Sequence, residues 1–135
     1  MQQINYLSRT LKTVMKSILV MLSQSPLAGQ TLLESLSAVM VLATYGLQVQ
    51  IVLTGDAVAL LRMPAADFGI DKAPHAFKSA AALVESFEFY DLFPLWVDRI
   101  QQKAHQSLLD TTETPYQLID MNAELLGRFE GVLRW

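Results

Sequence analysis

Seven positions in this chain have the residue types and spacing to do chemistry together. Ser23, Gln24 and Ser25 follow one apolar run, Thr54, Gly55 and Asp56 follow a second, and Asp98 closes a third. In open α/β sheets, ligands sit beyond the carboxyl ends of the strands, so these residues would share one rim. Hydroxyls beside a glycine suit a phosphate, and Asp56 with Asp98 would suit acid–base work. The spacing fits neither role closely. The stretch "SQSPLAGQT" has one glycine and no lysine, whereas a Walker loop needs G-x-x-x-x-G-K-[ST] and a dinucleotide fingerprint needs three spaced glycines. Pro26 also removes a backbone donor that such a cradle would use. Aspartate at a strand end more often forms a turn or caps a helix. Ser23, Gln24, Ser25, Gly55, Asp56 and Asp98 therefore stand as a candidate pocket rim. No residue is assigned a catalytic, cofactor-binding or metal-binding role.

Composition removes further classes of chemistry. The 135 residues include no cysteine, so disulfides, thiolate metal sites and thiol nucleophiles are excluded from this chain. Its two histidines, His75 and His105, lie in different segments and make a poor metal pair without cysteine. A net charge of −3 argues against direct nucleic-acid binding, which usually needs a basic face. Hydrophobic residues make up 52% of the chain. That share fits a parallel sheet buried on both faces, and a subunit with extra apolar surface set against partners. The cysteine-free composition fits a reducing cytoplasm.

The elements that would carry the rim alternate between strands and helices. Ser17–Leu22 is short and apolar, as expected of a strand covered on both sides. It follows the mildly basic "MQQINYLSRTLKTVMK" and so imitates a signal peptide, but six residues fall short of a secretory core of roughly seven to fifteen. No stretch approaches the roughly twenty residues that span a bilayer. Residues 1–14 read as an extension, a candidate for disorder or an alternative start, and 15–135 as one domain. Thr31 and Glu34 have capping-box spacing ahead of a helix to about Tyr45. Leu32, Leu36, Met40 and Ala43 share one face of it, with Leu33 and Val41 off that face, suggesting cover on more than one side. Gly46 is the natural stop. Val49–Leu53 is a second strand, and Val58–Leu61 a short helical stretch. Arg62–Pro74 is a long loop of the kind that is often functional. A helix around Phe77, Ala81 and Val84 ends near Phe87. Leu95–Val97 is a third strand and "YQLID" a fourth. Asn122 caps a helix that brings Leu125, Leu126 and Phe129 to the core and stops at Gly131, before a last strand "VLRW". Tyr90 and Phe93 suit edge packing or a partner contact. Trp96 and Trp135 suit the core or an interface. Strands alternating with helical segments indicate a single α/β sandwich with a parallel sheet and right-handed crossovers.

Four stretches in this order resemble one family: "SILVMLSQSPLAGQTLLESLSAVMVLA", "VQIVLTGDAVALL", "FEFYDLFPLWVDRIQQKAHQSL" and "LIDMNAELLGRFEGVLRW". From Met15 onward the chain resembles a TusC/DsrF-type member of the DsrE-like sulfur-relay proteins. It shares the S-P-x-G-type loop, a "YD" before strand three, and a closing strand that ends in an aromatic residue. It departs in "FEGVLRW", where tyrosine-aspartate is more usual, and in the Arg62–Pro74 loop and the N-terminal extension. The resemblance implies a three-layer α/β/α sandwich with a five-stranded parallel sheet (DsrEFH-like). It also implies a heterohexamer with cysteine-bearing DsrE/TusD-like and DsrH/TusB-like subunits, and persulfide sulfur passed toward 2-thiouridine in tRNA or within sulfur oxidation. TusC/DsrF-type subunits do not carry the sulfur, so the expected role is a cytoplasmic, non-catalytic partner without cofactor, membrane or nucleic-acid contact. Self-association is a further option. The alternative is a module that binds a small ligand, a nucleotide or a flavin, at the strand-end rim.

Overall fold

The computed structural model describes residues 17–27, 30–62 and 75–135, with the side chains of residues 75–79 and 81 outside that description. The expected 1–14 extension, the start at Met15 and the Arg62–Pro74 loop beyond Arg62 therefore fall outside the described residues. So do the side chains of His75, Phe77 and Ala81.

Five strands form one parallel sheet. They are β1 (Ser17–Leu22), β2 (Gln48–Leu53), β3 (Leu95–Asp98), β4 (Tyr116–Ile119) and β5 (Gly131–Arg134). Their order across the sheet is β4-β3-β2-β1-β5, and every neighbouring pair runs parallel. Parallel neighbours require crossovers. Those here are α1 (Gln30–Thr44), α2 (His75–Ser86), α3 (Gln106–Thr111) and α4 (Ala123–Leu126), with 3-10 helices at Gly55–Leu61, Phe87–Tyr90 and Arg99–Gln101.

Side chains alternate across a strand, and the apolar run of β1 uses both faces. Ile18, Val20 and Leu22 join Ile51, Leu53, Leu95 and Val97 in the main core, beneath Leu32, Leu36 and Val39 of α1. Leu19 and Val52 point the other way and are still fully buried. On that second face, Trp96 meets Phe129 edge to face with ring centroids 5.8 Å apart. Phe129 follows α4, whose Leu125 is buried outside the main core. The expected three layers are present. Among the described residues, the covering layer carrying α1 is thick and the one carrying α4 is a single turn.

Three local expectations are corrected. Thr31 is not the cap of α1, because the helix already includes Gln30. The Thr31 carbonyl instead accepts a bond from Ser35 Oγ at 3.1 Å. Val41 is exposed and so lies on the uncovered side of α1, whereas Leu33 packs partly on the core. The last helix stops at Leu126, with Gly127 as its C-cap, and Gly131 opens β5 opposite Ile18. The cause is the chain's return to the sheet: the Glu130 N–H donates to Ser17 O at 3.1 Å, leaving room for only one turn. The Asn122 cap is as expected, its Oδ1 accepting from the Leu125 N–H at 2.8 Å. Gly46, at φ +81, ends α1 in a conformation that disfavours other residues.

The packing of α1 predicts a sharp contrast within one helix. Leu36→Ala removes a fully buried side chain and should cost about 2–5 kcal/mol. Val41→Ala on the solvent side should stay within about 0.5 kcal/mol. Urea unfolding of the two variants checks both.

Candidate functional site

The register of the sheet brings the rim together. Leu22 pairs with Leu53 and Leu53 with Val97, so Ser23, Thr54 and Asp98 follow at one level along the carboxyl end. Trp135 joins them because β5 docks on β1: Ser23 N–H donates to Trp135 O at 3.0 Å, and Trp135 N–H to Met21 O at 2.9 Å.

The polar groups of this rim are occupied with the fold. Ser23 Oγ donates to the Trp135 carbonyl at 3.2 Å. Thr54 N–H donates to Leu22 O at 2.9 Å, and its hydroxyl reaches the same oxygen at 3.4 Å. Ser25 Oγ accepts from the Leu27 N–H at 3.1 Å, a local serine turn. Asp98 Oδ1 accepts from the Ile100 N–H at 3.3 Å and caps the 3-10 helix Arg99–Gln101. Gly55 sits at φ +51, with open space around its α-carbon: a Cβ there would come no nearer than 4.0 Å, to Ser23 O. Its role is to turn the chain from β2 into the next helix. Asp56 is exposed in the first turn of that helix. Gln24 Oε1 is buried and has no hydrogen-bond partner among the described residues.

This arrangement behaves as a set of joints between strand ends. The serine and threonine hydroxyls contact backbone, and Asp98 serves as a cap, which is the ordinary role of aspartate at that position. Just beyond it, Arg99 Nε donates to Asp120 Oδ1 at 3.0 Å, tying the ends of β3 and β4. Among the described residues, no group of three or more His, Cys, Asp or Glu could hold a metal ion. His105 is half-buried and precedes α3 without a side-chain capping bond.

The sequence reading missed a concave feature at the opposite end of the sheet. A groove of about 540 Å³ opens where the strands begin, lined by Ser17, Gly46, Gln48, Tyr90, Asp91 and Phe129 among others. Its walls come from the starts of β1 and β2, the 3-10 helix before β3 and the turn after α4. Gly46, Tyr90 and Phe129 each carried a signal in the sequence, as a helix stop, a packing or contact residue and a core residue, but none of a groove.

A model of the DsrE/DsrF-like family matches residues 16–104. The chain belongs to the DsrE/DsrF-like family. That family is associated with sulfur relay. Among solved structures, the chain is similar to the crystal structure of the YchN protein from E. coli, at 15% identity and a TM-score of 0.64. The likeness covers 90% of this chain and 100% of the other, and it bears on the fold. A comparison with curated proteins finds no match. Among the described residues of this DsrE/DsrF-like chain, no helix is long and apolar enough to cross a membrane.

Two substitutions test the reading of the rim as structural joints. Gly55→Ala should cost about 1–2 kcal/mol from left-handed backbone strain, since no atom obstructs the new methyl group. Gln24→Met should be neutral or stabilising by up to about 3 kcal/mol, because it removes a buried acceptor without a partner. Thermal and urea unfolding measure both.

Proposed function

We propose that this chain is a non-catalytic subunit of a persulfide sulfur-transfer assembly, in which a cysteine-bearing DsrE-like homologue carries the sulfur. One observation carries the reading: a DsrE/DsrF-like chain of 135 residues contains no cysteine. In a relay step, an acceptor thiolate attacks the outer sulfur of a donor persulfide. The sulfur–sulfur bond of the donor breaks, the donor leaves as a thiolate, and the sulfur moves with no net oxidation. Both ends of that exchange need a thiol, which this chain does not have. Its contribution is surface that completes and encloses a neighbour's site.

The expected setting is cytoplasmic, and the partners are the cysteine-bearing DsrE/TusD-like subunit and a DsrH/TusB-like subunit. The sulfur would be destined for 2-thiolation of wobble uridine in tRNA or for a related sulfur pathway. The acidic balance of the chain, −3 overall, favours contact with protein over direct contact with tRNA. The alternative of a nucleotide or flavin module draws less support, because the rim hydroxyls are already bonded to backbone carbonyls and amides.

Co-expression with the cysteine-bearing DsrE-like homologue from the same genome tests the proposal. The two chains should co-elute as a stable complex. After sulfur loading by a cysteine desulfurase, intact-mass spectrometry should find added sulfur on the homologue alone. Separate elution of the two folded chains would overturn the reading.

A further inference from the structure

The groove at the amino end of the sheet is electronegative. Asp91 lines it, is exposed and makes no ion pair among the described residues. Ala43 and Gly46 bring the C-terminal end of α1 to it. The last carbonyls of a helix carry a partial negative charge, which a basic residue in the final turn offsets. The last turn of α1 has none. The rings of Tyr90 and Phe129 complete the wall, and the face of such a ring attracts a cation. No lysine or arginine is among the lining residues. Arg128, next to Phe129, is engaged with Glu124 at 3.6 Å. An aromatic and anionic surface of this kind fits an occupant that is cationic and partly apolar.

The chain itself supplies such an occupant. Residues 1–16 contain Arg9, Lys12 and Lys16 and no carboxylate side chain. Ile4, Leu7, Leu11 and Val14 recur at intervals of three and four, and the three cations do so out of phase with them. That is the sequence pattern of one apolar and one basic face. Ser17, the next residue, lines the groove. Three residues span at most about 11 Å, so Val14, Met15 and Lys16 stay within that distance of Ser17 whatever path the chain takes. A tether this short gives the segment a high effective concentration at the groove, and weak contacts then suffice to hold it.

We infer that residues 4–16 of each chain occupy that chain's own groove. The cations of the segment are set against Asp91 and the C-terminal end of α1, and its apolar residues against Tyr90 and Phe129. The contact is made within one chain and needs no cysteine-bearing partner, so it stands or falls independently of the proposed function.

Limited digestion of the full chain by trypsin tests this, because trypsin cuts after the same cations. Cleavage after Arg9 and Lys12, followed by intact-mass spectrometry at low salt, should be slower in the wild type than in Asp91→Asn. The expected difference is about two- to fivefold, the range of one exposed ion pair, and raising the salt should narrow it. Asparagine tolerates the φ of +56 at this position, so the variant should keep its fold by circular dichroism. A second readout uses no protease. Because the chain has no cysteine of its own, the variant L11C/Y90C can form one disulfide within a chain, and mild oxidation should close it. Equal cleavage rates in the folded wild type and Asp91→Asn would overturn the inference, as would a cysteine pair that stays reduced or that links separate chains.

Discussion

The central strand β1 is the constraint on which the rest of the structure depends. It is hydrogen-bonded on both edges, to β2 and β5, and covered on both faces, with Ile18, Leu19, Val20 and Leu22 essentially removed from water. Burial at both faces forces backbone polar groups to find partners within the sheet, and the parallel register then follows from pairing on both sides. The positions of Ser23, Thr54, Asp98 and Trp135 are consequences of that register. The rim is an alignment of strand ends before it is anything else.

The two ends of the sheet have different characters for the same reason. At the carboxyl end, short polar side chains meet the carbonyls and amides that the strands leave behind, and the result is a set of joints. At the amino end, the chain arrives from helices of different length and leaves a groove between the starts of β1 and β2 and the turn carrying Phe129. Tyr90 lines this groove, and Tyr45 and Phe89, which also precede strands, are exposed.

Much of this was legible in the sequence, and the remainder was not for physical reasons. The run Ser17–Leu22 announces a strand because only one covered on both faces tolerates unbroken apolar residues. Asn122 and Gly46 announce a helix start and a helix stop because their preferences are local. The end of α4 was not legible, since it is set by Glu130 meeting Ser17, more than a hundred residues earlier. The Ser23 contact with Trp135 depends on the same docking of β5 on β1, which no local pattern encodes. The solvent side of α1 was misread because Val41 is apolar yet exposed, and periodicity cannot say which of two apolar faces is covered. The groove is assembled from four separated segments, so Gly46, Tyr90 and Phe129 could be read singly, as a helix stop, a packing or contact residue and a core residue, but not as one surface.

On the proposed reading, a DsrE/DsrF-like fold without a thiol would separate scaffold from reactivity in a family associated with sulfur relay. Its influence on sulfur chemistry would be exerted through shape and through exclusion of water around another chain's thiolate. The most direct measurement is the rate of persulfide transfer through the cysteine-bearing homologue to its acceptor thiol, with and without this chain. The account predicts that transfer slows markedly when this chain is omitted and recovers when it is added back. An unchanged rate in its absence, with the homologue folded and loaded, would contradict it.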